Sequence, residues 1–253
     1  MARTTEGSDS DKYWYSRVSQ NDNWIASVAG NCFHIWTRTG EAAAGPLTSI
    51  DNYTINTLAL SPGSSGLVAY VTFGGTVCVL SASTGMLIRR KKWNIDALGS
   101  CLAFSPSTQT HLAVGIGNEI FIWDTMTDEV AGPFTPHGVD VSALMFPSDG
   151  RYITSVARDC TLCLWNSSNG RIERGPVKAV RDYTNFSVLA LDGRMMAFSG
   201  INNTIMVFEL LYEGDSDIVL QNILILAGHM DYCLALHFRQ MGNTWLHLHP
   251  IEQ

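Results

Sequence analysis

The sequence predicts an all-β architecture of small repeated sheets, and three observations carry that prediction. Five segments share one pattern and close on Trp36, Leu80, Trp123, Trp165 and Phe208, at separations of 44, 43, 42 and 43 residues. A spacing held that constant marks an internal repeat. The apolar runs inside each segment are short and rich in β-branched or aromatic residues, as in Thr161-Leu162-Cys163-Leu164-Trp165 and Thr204-Ile205-Met206-Val207-Phe208, so they read as strands. No long window shows the 3.6-residue periodicity of a helix.

Each unit is an apolar run, a turn, a second run, a tight turn, and a third run that ends in the large residue. The first turn recurs in phase as Ser61-Pro62-Gly63, Ser105-Pro106-Ser107, Pro147-Ser148-Asp149-Gly150 and Leu191-Asp192-Gly193. Proline presets φ near −65° and glycine supplies positive φ, which is what such turns demand. A further turn follows the third run at Thr39-Gly40, Thr84-Gly85 and Asn169-Gly170, and a fourth, weaker strand comes after it. A four-stranded unit of this size cannot bury both its faces alone. Stacking such units around an axis does so, and that arrangement is a β-propeller.

Particular residues then carry a family resemblance. Phe121-Ile122-Trp123-Asp124 and Leu162-Cys163-Leu164-Trp165-Asn166 resemble the closing "WD" of WD repeats, and Gly228-His229 resembles the opening "GH". The fourth unit is most similar: His137, then 141–146, Asp149-Gly150, Ser155, Asp159 and Trp165. The resemblance implies a WD-type propeller with five complete blades and a partial sixth that starts at Gly228, ring closure being left open. It covers residues 13–238, between an N-terminal tail expected to be disordered, 1–12, and an irregular C-terminal tail, 239–253. A Gly-Pro-apolar element at Gly45-Pro46-Leu47, Gly132-Pro133-Phe134 and Gly175-Pro176-Val177 resembles WD-repeat arrays attached to fungal NACHT-type NTPases.

The same resemblance implies site residues. His137, Ser155, Asp159 and Trp165 correspond to a buried hydrogen-bonded tetrad. The other units depart from it: Gly30, Gly74, Asn118 and Asn202 stand at the Asp position, and Asp51, Ile95 and Val180 at the His position. Those blades are expected to hold by apolar packing alone. Exposed rim positions in the family map to Thr54, Asn56, Leu98, Ser100, Asp140, Ser142, Arg158, Tyr183, Asn185 and Tyr232. The implied role is a non-enzymatic scaffold that binds partner proteins or peptides on this rim. The alternatives are a recognition module cut from a larger NACHT-type sensor, and an enzyme using the channel mouth.

Composition narrows the classes further. The chain has 253 residues, 46% of them hydrophobic and 15% charged, with a net charge of −7. That supports a core and opposes the cationic field a general nucleic-acid binder uses. The longest strictly aliphatic run, Ile223 to Ala227, is far short of the ~20 residues of a spanning helix. Met1 to Lys12 has no apolar leader core, so a cytoplasmic setting with reduced cysteines is expected. Arg89-Arg90-Lys91-Lys92 would suit a nuclear address, or a charged outer strand that discourages edge pairing. Cys160-x-x-Cys163 would place its thiols on opposite faces of a strand, and His247-x-His249 lacks nearby completing ligands, so no metal is expected. There is no phosphate-binding G-x-x-x-x-G-K-[ST], no H-E-x-x-H and no G-x-S-x-G. No cofactor is expected, and self-association through open blade edges is.

Overall fold

A computed structural model of the chain describes residues 16–21, 23–93, 100–147, 150–179, 184–190, 195–200, 204–213, 217–227, 240–241 and 244–245. None of these residues is helical. The first sheet is β1 (Ser16–Gln20), β2 (Trp24–Ala29), β3 (Cys32–Thr37) and β4 (Ala42–Thr48). The second is β5 (Ile55–Leu60), β6 (Leu67–Thr72), β7 (Thr76–Ser81) and β8 (Leu87–Lys92). The third is β9 (Ser100–Phe104), β10 (His111–Ile116), β11 (Glu119–Asp124) and β12 (Val130–Phe134). The fourth is β13 (Val141–Met145), β14 (Tyr152–Ala157), β15 (Thr161–Asn166) and β16 (Ile172–Lys178). The fifth is β17 (Thr184–Leu189), β18 (Met195–Gly200), β19 (Ile205–Glu213) and β20 (Asp217–Leu226). Each is an antiparallel meander in chain order, and Trp36, Leu80, Trp123, Trp165 and Phe208 all lie in third strands. These are sheets of the WD propeller type.

A separate short pair, β21 (Gln240–Met241) with β22 (Thr244–Trp245), follows. The opening of the sixth unit, at Gly228 and His229, lies outside the described residues. Among the described residues the first and fifth sheets do not pair, so the five sheets form an arc that is not closed.

Strand alternation builds the core. In the second sheet Val68, Tyr70, Cys78 and Leu80 pack toward the first sheet, while Ala69, Val71, Val77 and Val79 pack toward the third. The third sheet divides in the same way: Leu112, Val114 and Trp123 face back, and Ala113, Ile120 and Ile122 face forward. Successive side chains leave opposite faces of a strand, so a central strand buried on both faces must be apolar throughout. The burial of β7, complete from Thr76 to Leu80, shows this. First strands contact one another in series, β1 with β5, β5 with β9, β9 with β13 and β13 with β17, and form the hub.

The fourth strands are the outer edges. In β4, β12 and β16 the chain reads Gly-Pro through a cis bond, and the glycines have φ of 126°, 118° and 95°. Each lies in a bulge where the register against the third strand slips. The bulge presses glycine onto the facing backbone: a Cβ on Gly132 would lie 2.7 Å from the Ile120 carbonyl oxygen, and one on Gly175 would lie 2.5 Å from that of Leu162. Proline removes a donor from the edge, and a bulge twists it, so both discourage a foreign strand from pairing there. The strand β8 lacks the element and carries Arg89, Arg90, Lys91 and Lys92 instead, a second defence of the same kind.

Gly175→Ala is therefore expected to lower stability by about 2–3 kcal/mol through a clash and a disfavoured φ. Gly138→Ala, where a Cβ would meet nothing within 4 Å, is expected to stay within about 0.5 kcal/mol of the parent. Urea midpoints of the two variants check the contrast.

Candidate functional site

The fourth sheet holds a continuous chain of hydrogen bonds. The Trp165 indole N–H donates to Ser155 Oγ at 2.8 Å, and Ser155 Oγ lies 2.8 Å from His137 Nε2. His137 Nδ1 lies 2.8 Å from Thr161 Oγ1, which donates to Asp159 Oδ1 at 2.7 Å. So His137, Ser155 and Trp165 meet directly, while Asp159 reaches the imidazole through Thr161 and not by itself. The network assigns the tautomer. Thr161 spends its proton on the carboxylate, so His137 Nδ1–H donates to Thr161, and Nε2 accepts from Ser155. Every donor from the indole to the carboxylate points the same way. Asp159 Oδ1 also accepts the Thr161 backbone N–H at 3.1 Å, which closes the β14–β15 turn.

Burial holds the imidazole neutral. His137 is 4% exposed, and desolvation pulls its pKa down to about 4, with the Asp159 charge opposing. Ser155 is fully buried and already engaged by an indole N–H. This Ser, His and Asp thus resemble a catalytic triad in type only, because no substrate reaches the hydroxyl. The thiols of Cys101 and Cys163 are pushed up to about 12 by burial, which leaves them protonated and unreactive.

The second and third blades do not rest on apolar packing alone, contrary to the expectation from sequence. In the third, the fully buried Trp123 donates its indole N–H to Asp128 Oδ1 at 2.8 Å. Asp128 also receives Lys91 Nζ of the second blade at 3.0 Å, and Lys91 lies 5.7 Å from the Trp123 ring centre. The Lys91 hydrogen bond first, and then the indole, hold the Asp128 carboxyl below the usual carboxylate range. One member of the basic cluster is therefore a tie between blades. In the second blade Tyr70 stands at the register of Ser155, and its hydroxyl accepts the Ile50 N–H at 3.2 Å. Thr72 Oγ1 donates to Asp51 Oδ2 at 2.8 Å. Asn118, at the Asp position of the third unit, donates to the His137 carbonyl at 3.3 Å.

The rim positions divide into two groups. Asn56, buried on β5, donates to Ser100 Oγ on β9 at 2.7 Å. Ser142 on β13 meets Ser187 Oγ on β17 at 2.6 Å and donates to the Val156 carbonyl. These residues stitch neighbouring first strands together along the hub. Asp140 and Arg158 stay open: their charged groups lie 4.0 Å apart with side chains 38% and 42% exposed, and Arg158 N–H donates to the Asp140 carbonyl. Thr54 is half-buried beside Tyr53, which is 55% exposed. The loop carrying them is fixed, since Ser49 Oγ donates to the Tyr53 carbonyl at 2.6 Å and Tyr53 N–H to Asp51 Oδ1 at 3.2 Å. Asn185 lies within β17. Leu98, Tyr183 and Tyr232 fall outside the described residues.

At the opposite rim a cleft of about 580 Å³ opens between the third and fourth sheets, lined by His111, Asp124, Glu129, Val130, Ser167 and Ser168. Its His111 Nε2 lies 3.5 Å from Asp124 Oδ2. Ser167 and Ser168 donate to the Arg151 carbonyl and to Asn166 Oδ1. Both hydroxyls are thus committed to loop structure. Among the described residues no group of three His, Cys, Asp or Glu side chains is placed to hold a metal ion.

The family model "WD domain, G-beta repeat" matches residues 129–166. That span takes β12 from the third sheet and β13 to β15 from the fourth, so the sequence repeat is offset from the blade by one strand. The chain is 33% identical over 67 residues to WD repeat-containing protein 18 of Rattus norvegicus, covering 26% of this chain and 15% of that protein. It is 27% identical over 114 residues to Periodic tryptophan protein 2 of Saccharomyces cerevisiae, covering 44% and 12%. It is 23% identical over 153 residues to Serine-threonine kinase receptor-associated protein of Gallus gallus, covering 60% and 42%. The chain thus contains a WD40 repeat, is similar to WD-repeat proteins, and spans less than half the length of each.

Two measurements check these ties. In the unfolded chain the imidazole binds a proton near pH 6.5, in the folded chain only near pH 4. Between those values the unfolded state holds the extra proton, so stability falls with acid, by up to about 3 kcal/mol. His137→Gln is expected to flatten that part of the pH profile of the urea midpoint. Asp128→Ala is expected to lower the midpoint and to shift Trp123 fluorescence, because a buried indole N–H loses its acceptor. Asp128→Asn, which keeps an acceptor oxygen, is expected to retain most of both.

Proposed function

We propose that this chain is a protein-interaction scaffold whose partners dock on the rim formed by the loops before the first strands. The observation that carries this reading is the division of labour among polar residues. The polar side chains described above in the blades and hub are engaged with one another, the buried Thr154 hydroxyl on β14 being an exception, while Tyr53 and the Asp140–Arg158 pair stand exposed on loops that those ties hold in place. An aromatic ring and an arginine on a preorganised surface are the groups interfaces use as anchors, and rigidity lowers the entropy lost on docking. The similarity to WD-repeat proteins, one of them named as receptor-associated, supports the class of role. The partner would be a protein or peptide that offers an apolar contact to Tyr53 and a charged or amide group to Arg158.

The test is capture by the immobilised full chain, with bound proteins quantified. Tyr53→Ala and Arg158→Ala are each expected to reduce retention of a specific partner at least tenfold, while Met126→Ser, on the opposite rim, leaves it unchanged. Equal retention by all four proteins would reject the rim as the docking surface.

A further inference from the structure

The fifth sheet departs from the other four in one respect. Its outer strand has neither proline nor a run of charge. The strand β20 reads Asp-Ile-Val-Leu-Gln-Asn-Ile-Leu-Ile-Leu, with ten residues, against five to seven in β4, β8, β12 and β16. Among the described residues β20 hydrogen-bonds only to β19, and β16 packs beside it without pairing. Leu224 and Ile225 are 39% and 59% exposed. The register of β20 against β19 slips once, at Ile223, between the regular stretches Asp217–Asn222 and Leu224–Leu226. With no proline and no run of charge in them, and no other pairing among the described residues, these stretches are a template for another strand.

We propose that β20 is the docking edge for a second copy of this chain, through antiparallel pairing of β20 with β20 across a two-fold axis. Sequence and charge favour self-pairing. Asp217, at one end, is the sole charged residue of the strand. Antiparallel pairing of two copies sets the two Asp217 residues at opposite ends of the ladder and lays the uncharged stretches against each other. No like charges are then opposed, which is the feature that would penalise a self-paired edge. Ten residues give an edge of roughly 33 Å, as long in one copy as in the other, and an interface of this kind closes after two chains. Among the described residues the other outer strands carry Pro46, Pro133, Pro176 or the β8 charges, so β20 is the outer edge favoured for pairing.

Light scattering behind size exclusion, over a dilution series reaching about 100 µM, tests this with the full chain. A mass of two chains that falls to one on dilution is expected. Ile225→Lys and Leu224→Lys, at exposed positions, are each expected to weaken the dimer at least tenfold with the far-ultraviolet dichroism unchanged. Ile172→Lys, an equally exposed site on the proline-bearing β16, is expected to leave it intact. A parent that stays monomeric throughout, a dimer that survives both β20 substitutions, or growth into larger particles would each overturn the proposal.

Discussion

Apolar packing between the faces of consecutive sheets is the constraint on which this molecule rests. A four-stranded sheet of six-residue strands has two faces and too little material to cover either. The second sheet shows the solution: its central strands are divided residue by residue between the first sheet and the third. Four of the buried clusters are shared between consecutive sheets, and only the fifth sheet also holds one of its own among the described residues, around Ala190, Ala197, Ile205 and Val207. In the second to fifth sheets the large third-strand residue, Leu80, Trp123, Trp165 or Phe208, lies in the cluster shared with the sheet before it, which accounts for their even spacing, whereas Trp36 of the first sheet stacks on His34 and β19 runs on past Phe208 to Glu213.

Polar chemistry then fixes what packing leaves free. Apolar faces slide and rotate at little cost, whereas a buried donor with a single acceptor does not. Each of the middle three blades meets this need differently. The fourth uses an indole, a hydroxyl, an imidazole and a bridging threonine; the third, a turn carboxylate that also holds a lysine from the blade before; the second, a phenol reaching a loop amide. What the three share is a loop or turn anchored to the strands beside it. Along the hub, pairs such as Asn56 with Ser100 add ties between neighbours.

The fold was legible in the sequence because its signals are local: strand-length apolar runs, Gly-Pro elements and turns in phase. The site was legible in part. His137, Ser155, Asp159 and Trp165 stand at positions a repeat pattern exposes, but Thr161, which joins two of them, carries no mark beyond lying two residues after Asp159. The ties of the other blades were hidden for a physical reason. Lys91 and Asp128 are 37 residues apart and belong to different units, so no pattern within one unit contains the pair. Asn56, Ser100 and Ser142 read as open rim positions because a sequence does not say which residues of neighbouring first strands meet. Tyr53 went unnoticed because it is one position away from a mapped residue, and only the fixed loop turns it outward.

Nearest-neighbour coupling has a mechanical side. Because the middle sheets are covered by the ones flanking them, and ties such as Lys91 to Asp128 reach only one blade along, disturbance decays with distance down the series. Fraying at the fifth sheet would cost the fourth some cover and leave the second nearly untouched. A molecule assembled in this way yields like a stack of cards lifted from one end, and its two ends are free to differ in firmness while the middle keeps its shape.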